Sequence, residues 1–185
     1  MFRLLLISTG GTIEKIYDEL AGVMTNHVSV LDVMIGSLDL RGVTITRRAL
    51  MNKDSLDMTL QDHQDIAEAA FQGSQDSDGI VIVHGTDRLA VTGETIYKRW
   101  SQPNAPRKPV VLTGAMRPYE MRRTDAVQNL TESLITVQIL PSGVFVVMHN
   151  KVLAFPGVTK DLNNGTFVKI SAQQPAAGNS GMMRS

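Results

Sequence analysis

The sequence predicts an α/β domain: a doubly wound, mostly parallel sheet with helices on both faces. Three observations predict it. Short unbroken apolar runs at 4–7, 79–83 and 109–112, two of them rich in β-branched residues, suit strands buried on both faces. Each run leads into a loop that combines glycine with threonine: Thr9-Gly10-Gly11-Thr12, His84-Gly85-Thr86-Asp87 and Thr113-Gly114-Ala115. Segments of helical spacing lie between the runs, and no internal repeat breaks the alternation.

The first run leads directly into two glycines, which let the backbone turn with positive φ and lie close to a small ligand. In an open α/β sheet the ligand sits beyond the carboxyl ends of the strands. Thr9 and Thr12 therefore face the pocket, where a threonine hydroxyl can attack a carbonyl and nearby backbone N–H groups can hold the oxyanion. The same Gly-Gly pair also suits a nucleotide-binding loop or a plain tight turn. Residues 14–22 are polar and mixed around Tyr17 and read as a mobile surface loop. Tyr17 is either a lid phenol or an aromatic packed on the rim.

Ser29 is placed to cap a short helix through Leu31 and Met34, and 43–46 alternates as a strand. The polar loop 52–58 follows. In it Ser55 suits a carboxylate oxygen, and Asp54 or Asp57 an ammonium group. Thr59-Leu60-Gln61-Asp62 resembles a capping box before a helix carrying Ile66, Ala69 and Ala70. After the strand at 79–83, Thr86-Asp87 reads as a helix cap or as a site, and His84 as a hydrogen-bonded structural histidine. A helix at 89–100 ends before Pro103 and Pro106. Arg122 and Arg123 read as a solvated basic patch. Val127, Leu130, Leu134 and Val137 mark a helix over 125–139, and 143–148 is the next strand. Residues 152–160 read as a loop turning at Pro156-Gly157 and ending in Lys160. Lysines are usually solvated, but beside Thr86 and Asp87 a desolvated amine would take a proton from a hydroxyl or water. The segment 172–185 has no periodicity and reads as a disordered tail, leaving 1–171 as one catalytic domain.

Composition narrows the function. Eighteen basic and eighteen acidic side chains cancel, which disfavours nucleic acid and anionic membranes as partners. There is no cysteine, so thiol catalysis, disulfides and thiolate metal sites are excluded. His27, His63, His84 and His149 show no paired ligand spacing, and no metal is expected. No segment approaches membrane-spanning length, and the chain reads as a soluble cytoplasmic protein. The first loop has neither Gly-x-Gly-x-x-Gly nor Gly-Lys-Ser/Thr, which counts against a nucleotide-binding domain.

These residues resemble the bacterial-type L-asparaginase family. Thr9-Gly10-Gly11-Thr12-Ile13 is similar to its first signature and His84-Gly85-Thr86-Asp87 to its second. Asp54-Ser55 with Asp57-Met58, Thr113 through Pro118, and Met148 through Lys160 are similar in the same order, so the resemblance runs to about Phe167. It implies hydrolysis of asparagine to aspartate and ammonia, with no cofactor. It also implies Thr12 as nucleophile, aided by a loop tyrosine for which Tyr17 is the candidate. Thr86, Asp87 and Lys160 would form a second catalytic set. Ser55 would hold the substrate α-carboxylate and Asp87 its α-ammonium group, with Gly11, Asp54, Thr86 and Ala115 completing the substrate pocket.

The departures carry information. Family members usually carry a second, smaller domain that helps form the oligomer; this chain stops where its linker would start, and a homo-oligomer built through other surfaces is expected. Arg88 stands where a further threonine is common and would pair with Asp87. Leu56 replaces a polar contact to the substrate. The competing readings are another amide such as glutamine, and a non-catalytic amino-acid-binding module or a remnant needing a partner chain.

Overall fold

The computed structural model describes residues 1–25 and 29–170. In chain order the elements are β1 (Phe2–Ser8), β2 (Ile16–Asp18), β3 (Val23–Thr25), α1 (Leu31–Gly36), β4 (Val43–Ala49), α2 (Leu60–Gly73) and β5 (Gly79–Val83), then α3 (Leu89–Trp100), β6 (Pro109–Thr113), α4 (Ala126–Thr136), β7 (Gly143–Met148), β8 (Lys151–Ala154), β9 (Val158–Asp161) and β10 (Thr166–Lys169). His27 and the tail expected over 172–185 lie outside the described residues.

Six strands form one sheet in the order β4-β1-β5-β6-β7-β8. The first five are parallel and β8 runs antiparallel beside β7. Strand alternation explains the unbroken apolar runs. Leu5 and Ile7 point to one face and join Ile66, Ala70 and Ile96 from α2 and α3; Leu4 and Leu6 point to the other and join Leu31, Leu130 and Leu134 from α1 and α4. Both faces are covered, so neither side of a central strand is polar.

Several elements form as their residues dictate. Thr59 caps α2 with a reciprocal capping box: its side chain accepts from the Asp62 backbone N–H while Asp62 accepts from the Thr59 backbone. The Lys53 ammonium, and after it the Thr59 backbone N–H, outweigh burial and hold the Asp62 carboxyl at about 2. The sequence reading needs correction in three places. Residues 14–22 are not a featureless loop, because β2 and β3 pair antiparallel across them. The segment 152–160 carries the end of β8 and the start of β9 around the cis Phe155–Pro156 peptide. Ser29 stands one residue before Val30, the N-cap of α1; its hydroxyl still accepts from the Leu31 N–H at 3.4 Å and donates to Glu14 at 2.5 Å. Among the described residues no helix is long and apolar enough to cross a membrane.

The connections place the site. From β1 the chain crosses to β4 on one side, then passes back over β1 to β5 on the other. The strand order therefore reverses between β1 and β5, and the crevice for a ligand opens beyond the carboxyl ends of those two strands.

Candidate active site

Two loops meet at that reversal, and they meet through glycine. Gly11 has φ 89°, and a Cβ built on it would lie 2.5 Å from both Cα and N of Gly85. A Cβ on Gly85 would in turn lie 2.6 Å from the Ser55 Oγ. Only glycine at these positions lets the β1 loop, the β5 loop and the turn after β4 close on one another. This stack brings Thr12, Thr86 and Ser55 to one edge. Thr12, half-buried, begins a short 3-10 turn at Thr12–Glu14, and Ser55, fully buried, begins another at Ser55–Asp57. Thr9 faces inward, its hydroxyl donating to the Val83 carbonyl at 3.1 Å, so it ties the two strand ends together.

Lys160 reaches the same edge from outside the main sheet. β9 and β10 form a separate antiparallel pair, and from it the Lys160 ammonium donates to Thr86 Oγ1 at 2.9 Å and to Asp87 Oδ1 at 2.7 Å. The lysine side chain is only 16% exposed, so the pair is shielded on its cationic side. Lys160, more than seventy residues away in sequence, thus joins the adjacent Thr86 and Asp87 in one hydrogen-bonded set. The Arg88 guanidinium does not pair with Asp87 as its position in sequence suggests. Its Nη1 donates to the Met58 carbonyl at 3.2 Å, while its backbone N–H approaches Ser55 Oγ at 3.4 Å.

Behind the β5 loop runs a buried polar chain. His84 Nδ1 lies 2.7 Å from the Gly85 carbonyl, His84 Nε2 2.7 Å from Thr92 Oγ1, and Thr92 Oγ1 2.7 Å from His63 Nδ1. A carbonyl only accepts, and with both imidazoles neutral this fixes every proton in the chain. His84 Nδ1–H donates to Gly85, the Thr92 hydroxyl donates to His84 Nε2, and His63 Nδ1–H donates to Thr92. His63 Nε2 is left as a bare acceptor, and that buried atom has no hydrogen-bond partner in the structure. Burial pushes the His84 imidazole down to about 4, against the raising effect of the Gly85 carbonyl, and His63 pushes the same way as burial. The neutral His84 draws the Gly85 carbonyl inward. In a planar trans peptide the Thr86 N–H then points the opposite way.

The remaining predicted residues lie close by in chain position but are not all in contact. Asp54 is engaged: Oδ2 accepts from the Lys15 ammonium at 2.8 Å and Oδ1 from the Leu56 N–H at 3.1 Å. The Lys15 contact, then the Leu56 amide, hold its carboxyl below the ordinary range. Ala115 follows the β6 strand end, but its methyl group is buried in the core layer beneath α4, so only its backbone is placed to meet a ligand. Tyr17 sits on β2 with 57% exposure, and its backbone N–H donates to Glu120 at 2.6 Å. No hydrogen bond joins it to Thr12 among the described residues. The Lys15–Asp54 pair and the His63–Thr92 extension carry no local signal in sequence.

Known proteins share this arrangement of strands and loops. Residues 3–178 match the family model described as "Asparaginase, N-terminal". The chain is 32% identical to an L-asparaginase of Thermococcus kodakarensis over 158 residues, which is 85% of this chain and 47% of the relative. It is 35% identical to one component of the glutamyl-tRNA(Gln) amidotransferase of Haloquadratum walsbyi over 146 residues, 78% of this chain and 32% of that one. The solved structure of the thermostable T. kodakarensis L-asparaginase superposes with a TM-score of 0.79 at 31% identity, covering 97% of this chain and 58% of the other. L-asparaginase I of Vibrio cholerae gives a TM-score of 0.75 at 26% identity, covering 91% and 51%. The chain spans half or less of the length of the two curated relatives.

Proposed function

The chain belongs to the asparaginase family, and from that premise we propose that it hydrolyses the side-chain amide of L-asparagine to L-aspartate and ammonia. The observation that carries the reading is the Lys160 ammonium within hydrogen-bond reach of both Thr86 and Asp87, beside the loop that presents Thr12. Thr12 Oγ attacks the amide carbon, the C–N bond breaks, and the nitrogen leaves as ammonia after taking a proton. Water then cleaves the Thr12 ester to release the carboxylate. Lys160 serves Thr86 or its water as base. An α-ammonium group arriving at Asp87 would share that carboxylate with Lys160. Ser55 donates to the substrate α-carboxylate, while Gly11, Asp54 and the backbone at Ala115 shape the pocket. Tyr17 reaches the site only if the β2–β3 hairpin closes over it.

A second reading draws on the amidotransferase relatives: the chain releases ammonia as one member of a larger assembly. Both readings share Thr12 as nucleophile and differ in the physiological amide. We further propose a homo-oligomer; an active monomer in sedimentation would overturn that. Ammonia release by the purified chain is the direct test, with L-asparagine and L-glutamine run in parallel beside Thr12→Ala. Release that depends on Thr12 supports an amidohydrolase and ranks the substrates. A folded chain that releases none from either amide is a binding module or requires a partner chain.

A further inference from the structure

The hairpin that carries Lys160 does not pair with the six-stranded sheet. Val158 and Phe167 anchor it in the core below α3, and its open end is tied by the Gly157 N–H, which donates to Glu94 at 2.5 Å, and by the Lys169 ammonium, which donates to the Ala154 and Pro156 carbonyls. At its turn end, where Thr166 pairs with Asp161, a further directional bond reaches it. The β7–β8 connection is a two-residue turn, since Met148 pairs with Lys151, and both its residues have positive φ: His149 at 55° and Asn150 at 59°. Asparagine and glycine are the usual occupants of such a turn, and a histidine there is uncommon.

The conformation aims the imidazole between two segments. His149 Nε2–H donates to Asp125 Oδ2 at 2.8 Å, and Nδ1 meets Thr166 Oγ1 at 3.2 Å. Thr166 stands on β10 opposite Asp161, next to the Phe167–Lys160 pair. Asp125 is a fixed post. It accepts from the backbone N–H groups of Met116 and Arg117, both at 3.0 Å, and from Asn129 Nδ2 at 2.8 Å. The fully buried Asn129 also accepts from the His149 N–H at 3.1 Å. Lys151 Nζ approaches the same threonine at 3.5 Å. A neutral His149 accepts from the Thr166 hydroxyl at Nδ1, and a protonated one donates to it, so both protonation states keep both contacts.

We propose that His149 is a positioning residue for Lys160: held on Asp125, it straps strand β10, and with it the lysine's hairpin, in register with Thr86. The effect on turnover rests on Lys160 acting at Thr86 as proposed above. Displacement of a reacting group by about 1 Å costs up to about 100-fold in rate.

Two variants test the strap. His149→Gly suits the positive φ and leaves Asp125 its three other donors, so the melting temperature holds while the strap is lost. Thr166→Val removes the hydroxyl and keeps the strand residue's shape, and Thr166→Ser restores the hydroxyl. Expected is a kcat lowered by about ten- to 100-fold in H149G and T166V, with KM within about twofold because Ser55 and Asp87, the groups proposed to hold the substrate, lie on loops outside the strapped hairpin. T166S should keep nearly parental kcat, and the double variant H149G/T166V should be no slower than the slower single variant. A kcat within about twofold of the parent in either single variant, failure of T166S to rescue, or multiplying effects in the double variant would overturn the strap. Amide exchange in β9 and β10 gives a readout independent of turnover: H149G should accelerate it by about tenfold or more. Unchanged exchange sinks the proposal even in an active enzyme. A parent that releases no ammonia removes the amidohydrolase reading, and exchange alone then decides the strap.

Discussion

The two sides of the crevice are held by different means. On the β5 side, Thr86 and Asp87 rest against a buried chain of His84, Thr92 and His63, and Lys160 closes them from a packed hairpin. On the β1 side, Thr12 is followed by buried Ile13 and Glu14 and then by a small hairpin whose Tyr17 is exposed, and contacts near the surface that hold it include the Lys15–Asp54 pair and the Tyr17 N–H to Glu120 bond. Buried, fully directed hydrogen bonds pre-organise a site, whereas half-exposed ones leave it movable. The β5 side is held by buried bonds, and the β1 hairpin by bonds nearer the surface.

The sharpest way to break this contrast is to delete a reacting group from each side. Thr12→Ala and Lys160→Met should each lower turnover by about 10³-fold with the fold intact; near-normal kcat in either would remove that residue from the chemistry. A slightly smaller effect concerns the β5 side alone. His84 is kept neutral by burial down to about 4, whereas the unfolded imidazole takes a proton near 6.5. Between these values acid favours the unfolded chain, so stability is full above pH 6.5 and is lost as pH falls toward 4, by up to about 3 kcal/mol. Urea titrations at about pH 7 and about pH 5 check it, and His84→Asn should flatten the slope. On the β1 side, Lys15→Met should cost no more than about 1 kcal/mol of stability, since both partners are partly exposed. It should still raise KM several-fold by freeing the turn that carries Ser55, and an unchanged KM would mean the two loops are not coupled. Smallest is Arg88→Thr. Its guanidinium caps the Met58 carbonyl rather than Asp87, so stability should change by about 0.5 kcal/mol and KM by less than about twofold.

How much of this is legible in the sequence depends on where the physics is local. Residues 79–83 and 109–112 read as buried strands because a strand covered on both faces has no polar side to hide. The Thr59 box reads as a helix start because its bonds span three residues. The β2–β3 and β9–β10 pairs are only three and four residues per strand and mix apolar and polar residues without a long run, and tertiary packing of residues such as Phe167 decides them. The Thr12, Ser55 and Thr86 loops announce themselves by glycine and strand ends, whereas Lys160 looks like any surface lysine until the family resemblance places it. His149 and Asp125 lie 24 residues apart and meet through an unusual turn conformation that the His-Asn pair does not advertise.

The order of the parts along the chain has a consequence for synthesis. Thr12, Ser55 and Thr86 leave the ribosome well before Lys160, and the five parallel strands are complete once Met148 has emerged. A nascent chain can therefore pair the strands of its sheet and stack its glycine loops before the lysine has emerged, since no strand of the sheet pairs with β9 or β10. Of the hydrogen-bonded set Thr86, Asp87 and Lys160, the lysine is therefore made last, and it joins when a four-residue strand docks.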